Sequence, residues 1–98
     1  VQLPVIDPRC SSIYNQYTLK IEQRDEFKAY LTDYTVGNNI YYPIPLHLQE
    51  CFSYLGYTIG DFPEAEKAAK QVISIPIYSE LSQEQLDYVA SVINAYNH

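Results

Sequence analysis

Methionine is absent from the 98 residues, which open on Val1. An initiator methionine can be trimmed before valine, so this start leaves open that the chain is a piece of something longer. Cysteine is scarce. Cys10 and Cys51 lack the CxxC spacing, so neither a disulfide framework nor a zinc site is expected, and the reading is a cytoplasmic, reduced protein. Glycine occurs three times and never in a cluster, which excludes a glycine-rich phosphate loop. Basic residues number six against twelve acidic ones, for a net charge of −6. Neutralising phosphates needs clustered Lys and Arg, so no nucleic-acid partner is expected. Histidine ligands are limited to His47 and His98, too few for a metal centre. No apolar run approaches the roughly 20 residues of a transmembrane helix, and no basic-then-apolar leader is visible, so no membrane partner is expected.

What is present describes one globular domain with a modest core. Hydrophobic residues make up 47% of the chain and charged residues 18%, outside the disordered range. Eleven tyrosines stand out. A ring with a polar tip suits a half-buried surface, such as an interface or a ligand pocket. The most informative stretch is Ile40-Tyr41-Tyr42-Pro43-Ile44-Pro45-Leu46-His47-Leu48-Gln49. Each proline fixes its own φ and holds the residue before it extended, which makes a rigid, aromatic-lined elbow. Such an elbow suits rings and a histidine held at fixed positions beside something.

The regular elements follow from periodicity. Tyr14 to Ile21 alternates and predicts a half-buried strand, with Ile13, Tyr17, Leu19 and Ile21 on one face. Phe27, Tyr30, Leu31 and Tyr34 recur at helical spacing behind Asp25 and Glu26, which favour a helix N-terminus. A short strand is expected over Asn39 to Tyr42. Leu48, Cys51, Phe52 and Leu55 repeat the helical spacing, and Gly56 suits a left-handed cap. A further helix is expected from near Asp61, capped by Asp61 and Glu64, with Ala65, Ala68, Ala69 and Val72 inward. Ile73, Ile75 and Ile77 predict a strand cut short by Pro76, which has no N–H to donate. Ser82 to Gln85 forms a capping box, and Leu86, Val89, Ala90 and Ile93 form the stripe of the helix that follows. The expected fold is therefore α+β, a small three-stranded sheet covered by helices.

Catalytic chemistry is sparse. His47 and Cys51 lie four apart, a spacing that would allow a base to activate a thiol. A cysteine within an apolar stripe, however, behaves as a small hydrophobe. The four lysines, Lys20, Lys28, Lys67 and Lys70, fall on a strand or on helix faces. A lysine becomes a nucleophile only when desolvated or set beside another cation.

Five blocks, in register, now define a family pattern. They are Tyr14-Asn15-Gln16-Tyr17-Thr18, the Ile40 to Gln49 run, Tyr54-Leu55-Gly56-Tyr57, Gly60-Asp61-Phe62-Pro63-Glu64-Ala65-Glu66 and Ile75-Pro76-Ile77-Tyr78. Together they resemble the C-terminal small domain of the DegT/DnrJ/StrS sugar aminotransferases. Asn38 stands where that family usually places a hydroxyl residue before the elbow.

The resemblance implies the small domain of a fold-type-I, pyridoxal-phosphate-dependent enzyme. Such enzymes transfer an amino group from glutamate to a nucleotide-linked keto sugar, in making amino sugars for cell-surface polysaccharides or antibiotics. It implies a domain at 14–98, with 1–13 as a linker or tail to a large N-terminal domain. The Schiff-base lysine and the cofactor contacts belong to that large domain, so this chain alone is expected to be inactive and to bind no pyridoxal phosphate. The elbow is expected to face the substrate pocket, with Tyr41, Tyr42 and His47 as substrate contacts and a homo-oligomer as the assembly. The alternatives are a stand-alone, non-catalytic interaction module and the small domain of a related sugar dehydratase.

Overall fold

A computed structural model describes residues 1–96. Alternation in the first block builds β1, Tyr17–Lys20, shorter than the Tyr14 to Ile21 run, with Leu19 buried. β1 pairs antiparallel with β2, Val72–Ile75, in the register Tyr17 with Ile75 through Lys20 with Val72. Thr18 and Ser74 share a hydrogen bond of 2.9 Å between their hydroxyls. Gln2 exchanges two backbone hydrogen bonds with Lys20, which extends the sheet by one residue on the β1 side.

Helix α1, Arg24–Asp33, buries Phe27 and Leu31 completely, with Asp25 and Glu26 in its first turn as expected. The core is Leu19, Ile21, Phe27, Leu31, Val36, Ile73 and Val92. Burying side chains of this size contributes about 1.5–3 kcal/mol each. Helix α2, Pro63–Gln71, runs directly into β2. Helix α3, Gln83–Asn94, opens with the predicted capping box: Ser82 Oγ accepts from the Gln85 N–H, and Gln85 Oε1 accepts from the Ser82 N–H. Aromatic rings tie α1 to the end of α3. Phe27 meets Tyr96 edge-on at 4.9 Å, and the Tyr30 hydroxyl donates to the Val92 carbonyl at 2.7 Å.

The α+β architecture is present, with three corrections of detail. The sheet has two strands rather than three, because only Asn39 of the expected Asn39–Tyr42 strand pairs, through two hydrogen bonds with Ser74. The next acceptor along that edge is the Val72 carbonyl, which already takes a hydrogen bond from Arg24 Nη1 at 3.0 Å. The Val72 N–H, which the Tyr41 carbonyl would need, donates to the Ala68 carbonyl at the end of α2, so the ladder does not continue to Tyr41. The segment after the elbow is not an α-helix but two short 3₁₀ turns, Leu46–Leu48 and Glu50–Leu55, interrupted where Gln49 is extended. Gly56 caps the second with φ of 81°. Finally, Asp61 and Glu64 do not cap α2. Pro63 occupies its first position, Asp61 instead accepts from the Thr58 N–H, and Glu66 reaches back to the preceding loop.

The α3 stripe is only partly inward. Val92 is buried and Val89 and Ile93 are half-buried, while Leu86 and Ala90 remain exposed. With Tyr17 and Ile75 they line an open apolar groove of about 310 Å³. Among the described residues, no helix is long and apolar enough to cross a membrane.

Candidate functional site

The two prolines hold the elbow away from the core. Tyr41 and Tyr42 stay open to solvent, at 41% and 61% exposure, with their rings edge-to-face at 5.8 Å. Tyr41 lines a cleft of about 310 Å³ together with Asn15, Gln16, Asn38, Asn39 and Tyr78, over Ile75 and Pro76 of the sheet end. The Asn39–Ser74 bridge positions this cleft, because it anchors the elbow to β2 immediately before Tyr41. Asn38 is committed internally: its Oδ1 accepts from Lys28 Nζ, and its Nδ2 donates to the Val36 carbonyl at 3.0 Å.

His47 lies elsewhere. It is buried in an aromatic pocket, edge-on to Phe62 at 4.9 Å, and its Nε2 sits 3.2 Å from Glu66 Oε2. That carboxylate also accepts the Gly60 N–H at 2.9 Å and the Phe62 N–H at 3.2 Å. The Gly60 N–H above all, followed by the Phe62 N–H and His47, holds the Glu66 carboxyl below its ordinary range against the opposing effect of burial. Glu66 thus ties three points of the chain together: the elbow at His47, the loop at Gly60 and the start of α2. Cys51 is exposed and its Sγ donates toward Gln49 Oε1 at 3.9 Å, so the structure does not join it to His47.

The structure separates the three sequence candidates into an open pair, Tyr41 and Tyr42, and a buried, paired His47. His98 lies outside the described residues. Sequence reasoning passed over Glu66, whose signal was a second acidic residue one turn into a helix that follows Gly60. It also passed over Asn39 and Tyr78, which only the tertiary fold brings beside Tyr41. Among the described residues, no three His, Cys, Asp or Glu side chains converge as a metal site would require. Lys67 and Lys70 are exposed on α2, while Lys28 is engaged with Asn38.

Comparison with known proteins gives a consistent pattern. Residues 2–94 match the model of the DegT/DnrJ/EryC1/StrS aminotransferase family. A pleiotropic regulatory protein of Geobacillus stearothermophilus is 46% identical over 87 residues, covering 88% of this chain and 23% of its own length. A UDP-N-acetyl-3-dehydro-alpha-D-glucosamine 3-aminotransferase of Acidithiobacillus ferrooxidans is 35% identical over 98 residues, covering all of this chain and 26% of its own. In three dimensions the chain is similar to the crystal structure of S. venezuelae DesV in complex with a ketimine intermediate. That match has a TM-score of 0.90 and 30% identity, over 94% of this chain and 25% of DesV. The chain spans about a quarter of the length of the relatives it matches.

Proposed function

The chain belongs to the DegT/DnrJ/EryC1/StrS aminotransferase family, and from that premise we propose that it is the C-terminal small domain of a cytoplasmic sugar-nucleotide aminotransferase. In this reading, residues 14–98 form the domain and 1–13 lead toward a large N-terminal domain. The intact enzyme moves an amino group from glutamate to a nucleotide-linked keto sugar, as a homo-oligomer. The observation that carries the reading is the match of residues 2–94 to the family model, with the whole chain aligning to about a quarter of a protein named as a sugar aminotransferase.

Pyridoxal phosphate, when bound to the intact enzyme, supplies the electron sink that amino transfer needs. The residues of this chain do not fit its site. A Schiff-base lysine needs desolvation or a neighbouring cation, yet Lys67 and Lys70 are exposed, Lys28 is engaged with Asn38, and half-buried Lys20 faces an open cleft where Glu22 stands as well as Lys67. We therefore assign the cofactor to residues outside this chain.

What this chain supplies is a fixed wall for the substrate. Tyr41 and Tyr42 offer phenols that donate and accept, on a backbone stiffened by Pro43 and Pro45. In this reading His47 acts on substrate through position: with Glu66 it pins the elbow. The test is a transamination assay on the intact gene product. Tyr41→Phe and Tyr42→Phe are expected to lower kcat/KM for the keto sugar nucleotide by up to about tenfold each, the worth of one hydrogen bond of about 1.5 kcal/mol. Undetectable amino transfer by the unmodified gene product across keto sugar nucleotides would overturn the reading.

A further inference from the structure

The chain is held from its second residue. Gln2 exchanges two backbone hydrogen bonds with Lys20, at 2.8 and 3.0 Å, so the direction of the backbone at Val1 is fixed. Val1 and Gln2 line an open cleft of about 630 Å³ with Lys20, Glu22, Lys67 and Gln71. In the antiparallel register that pairs Gln2 with Lys20, the residue immediately before Val1 stands opposite Glu22, itself part of the cleft. Gln71 is fixed where α2 meets β2, since its carbonyl accepts from the Ile21 N–H at 2.9 Å. Its side-chain Oε1 is buried and accepts no hydrogen bond from any described residue. Buried acceptors without a donor are rare, because burial strips away water and nothing replaces it.

We propose that this cleft seats the residues that immediately precede Val1 in the intact gene product, and that a backbone N–H among them donates to Gln71 Oε1. The proposal rests on the reading above in one respect, that chain precedes Val1, and it adds how that chain is fastened. The Acidithiobacillus relative agrees with that premise, since the whole of this chain aligns to 26% of it. Two features favour a backbone segment over a separate ligand. Val1 already lines the cleft, so the residue before it reaches the cleft without any change in the Gln2 pairing. The lining also suits a peptide, in which each non-proline residue brings one donor and one acceptor. Gln71 Oε1 lacks a donor, while Lys20 and Lys67 carry ammonium groups that donate to carbonyls. Glu22 offsets the two lysines, so the cleft lacks the concentrated positive field that captures a free anion. The seat thereby sets the direction from which this domain is attached, in place of a loose linker.

Hydrogen exchange of the intact gene product, read by mass spectrometry, tests this. The residues just before Val1 are expected to exchange about tenfold or more slowly than the same sequence as a free peptide, the worth of one hydrogen bond. Gln71→Leu is expected to remove that protection while the amides of α3 keep theirs. Gln71→Glu, which retains an oxygen acceptor in the cleft shared with Lys20 and Lys67, is expected to preserve it. Free-peptide exchange rates before Val1 in the unmodified protein overturn the proposal and leave the cleft to a separate partner; this arm needs no variant to fold. Protection that survives Gln71→Leu unchanged overturns it as well. A gene product that begins at Val1 overturns both this proposal and the large-domain reading. Protection before Val1 in a protein that transfers no amino group overturns the aminotransferase reading alone.

Discussion

His47 Nε2 and Glu66 Oε2 lie 3.2 Å apart, and this contact closes the loop between the proline elbow and α2. The same carboxylate takes the N–H groups of Gly60 and Phe62, so one buried-side anchor serves an otherwise exposed segment.

That anchor is pH-dependent with a definite sign. The Gly60 and Phe62 N–H groups and His47 hold the folded-state pKa of Glu66 below its unfolded value. The stability it contributes is therefore complete above the unfolded value, about 4.3, and is lost as pH falls through the lower folded value. Thermal melts between pH 7 and pH 3 are expected to show Tm falling below about pH 4.5. Glu66→Gln is expected to lower Tm at pH 7 and flatten that acid limb. An unchanged limb in the variant would contradict the assignment.

Arg24 makes the second prediction. Its guanidinium is buried beneath the sheet end, where Nη1 donates to the Ala69 carbonyl at 2.8 Å and to the Val72 carbonyl at 3.0 Å. Arg24→Met leaves both acceptors without that donor and is expected to cost about 1.5–3 kcal/mol in urea unfolding, the range for hydrogen bonds to a charged group. A change under about 0.5 kcal/mol, the level of an ordinary surface substitution, would contradict it.

Arg24 also marks where the sequence stopped being legible. Local signals predicted local structure well: the i, i+3, i+4 spacing of Phe27, Tyr30 and Leu31 gave α1, and Ser82 with Gln85 marked the start of α3. The expected third strand failed for a non-local reason, since nothing near Tyr41 indicates that the Val72 N–H it would need caps α2 and that Arg24 sits on the Val72 carbonyl. The expected helix over Leu48 to Leu55 failed because helical spacing alone does not separate an α-helix from two 3₁₀ turns broken at Gln49. The tyrosine pair was recognisable because prolines act on their own neighbours. The amides of Asn15 and Asn39 were not, because only the β1–β2 pairing and the Asn39–Ser74 bridge bring them together.

The α3 stripe supplies the third prediction. Leu86 is 44% exposed and lines an apolar groove with Val89, Ala90 and Ile93. In our reading the rest of the enzyme covers this face, and the 98-residue chain taken alone self-associates through it. Light scattering is expected to show dimers or larger species at high concentration. Leu86→Glu is expected to restore the monomer without loss of helicity. A clean monomer of the unmodified chain would contradict the covered-face reading.

The account as a whole turns on where the cofactor's lysine lies. Borohydride reduction of the intact gene product loaded with pyridoxal phosphate, followed by peptide mapping, locates it directly. The predicted result is one pyridoxyl-lysine outside these 98 residues, in a chain roughly four times as long, given that this sequence spans 26% of its Acidithiobacillus relative. A pyridoxyl group on Lys20, Lys28, Lys67 or Lys70 would contradict the account.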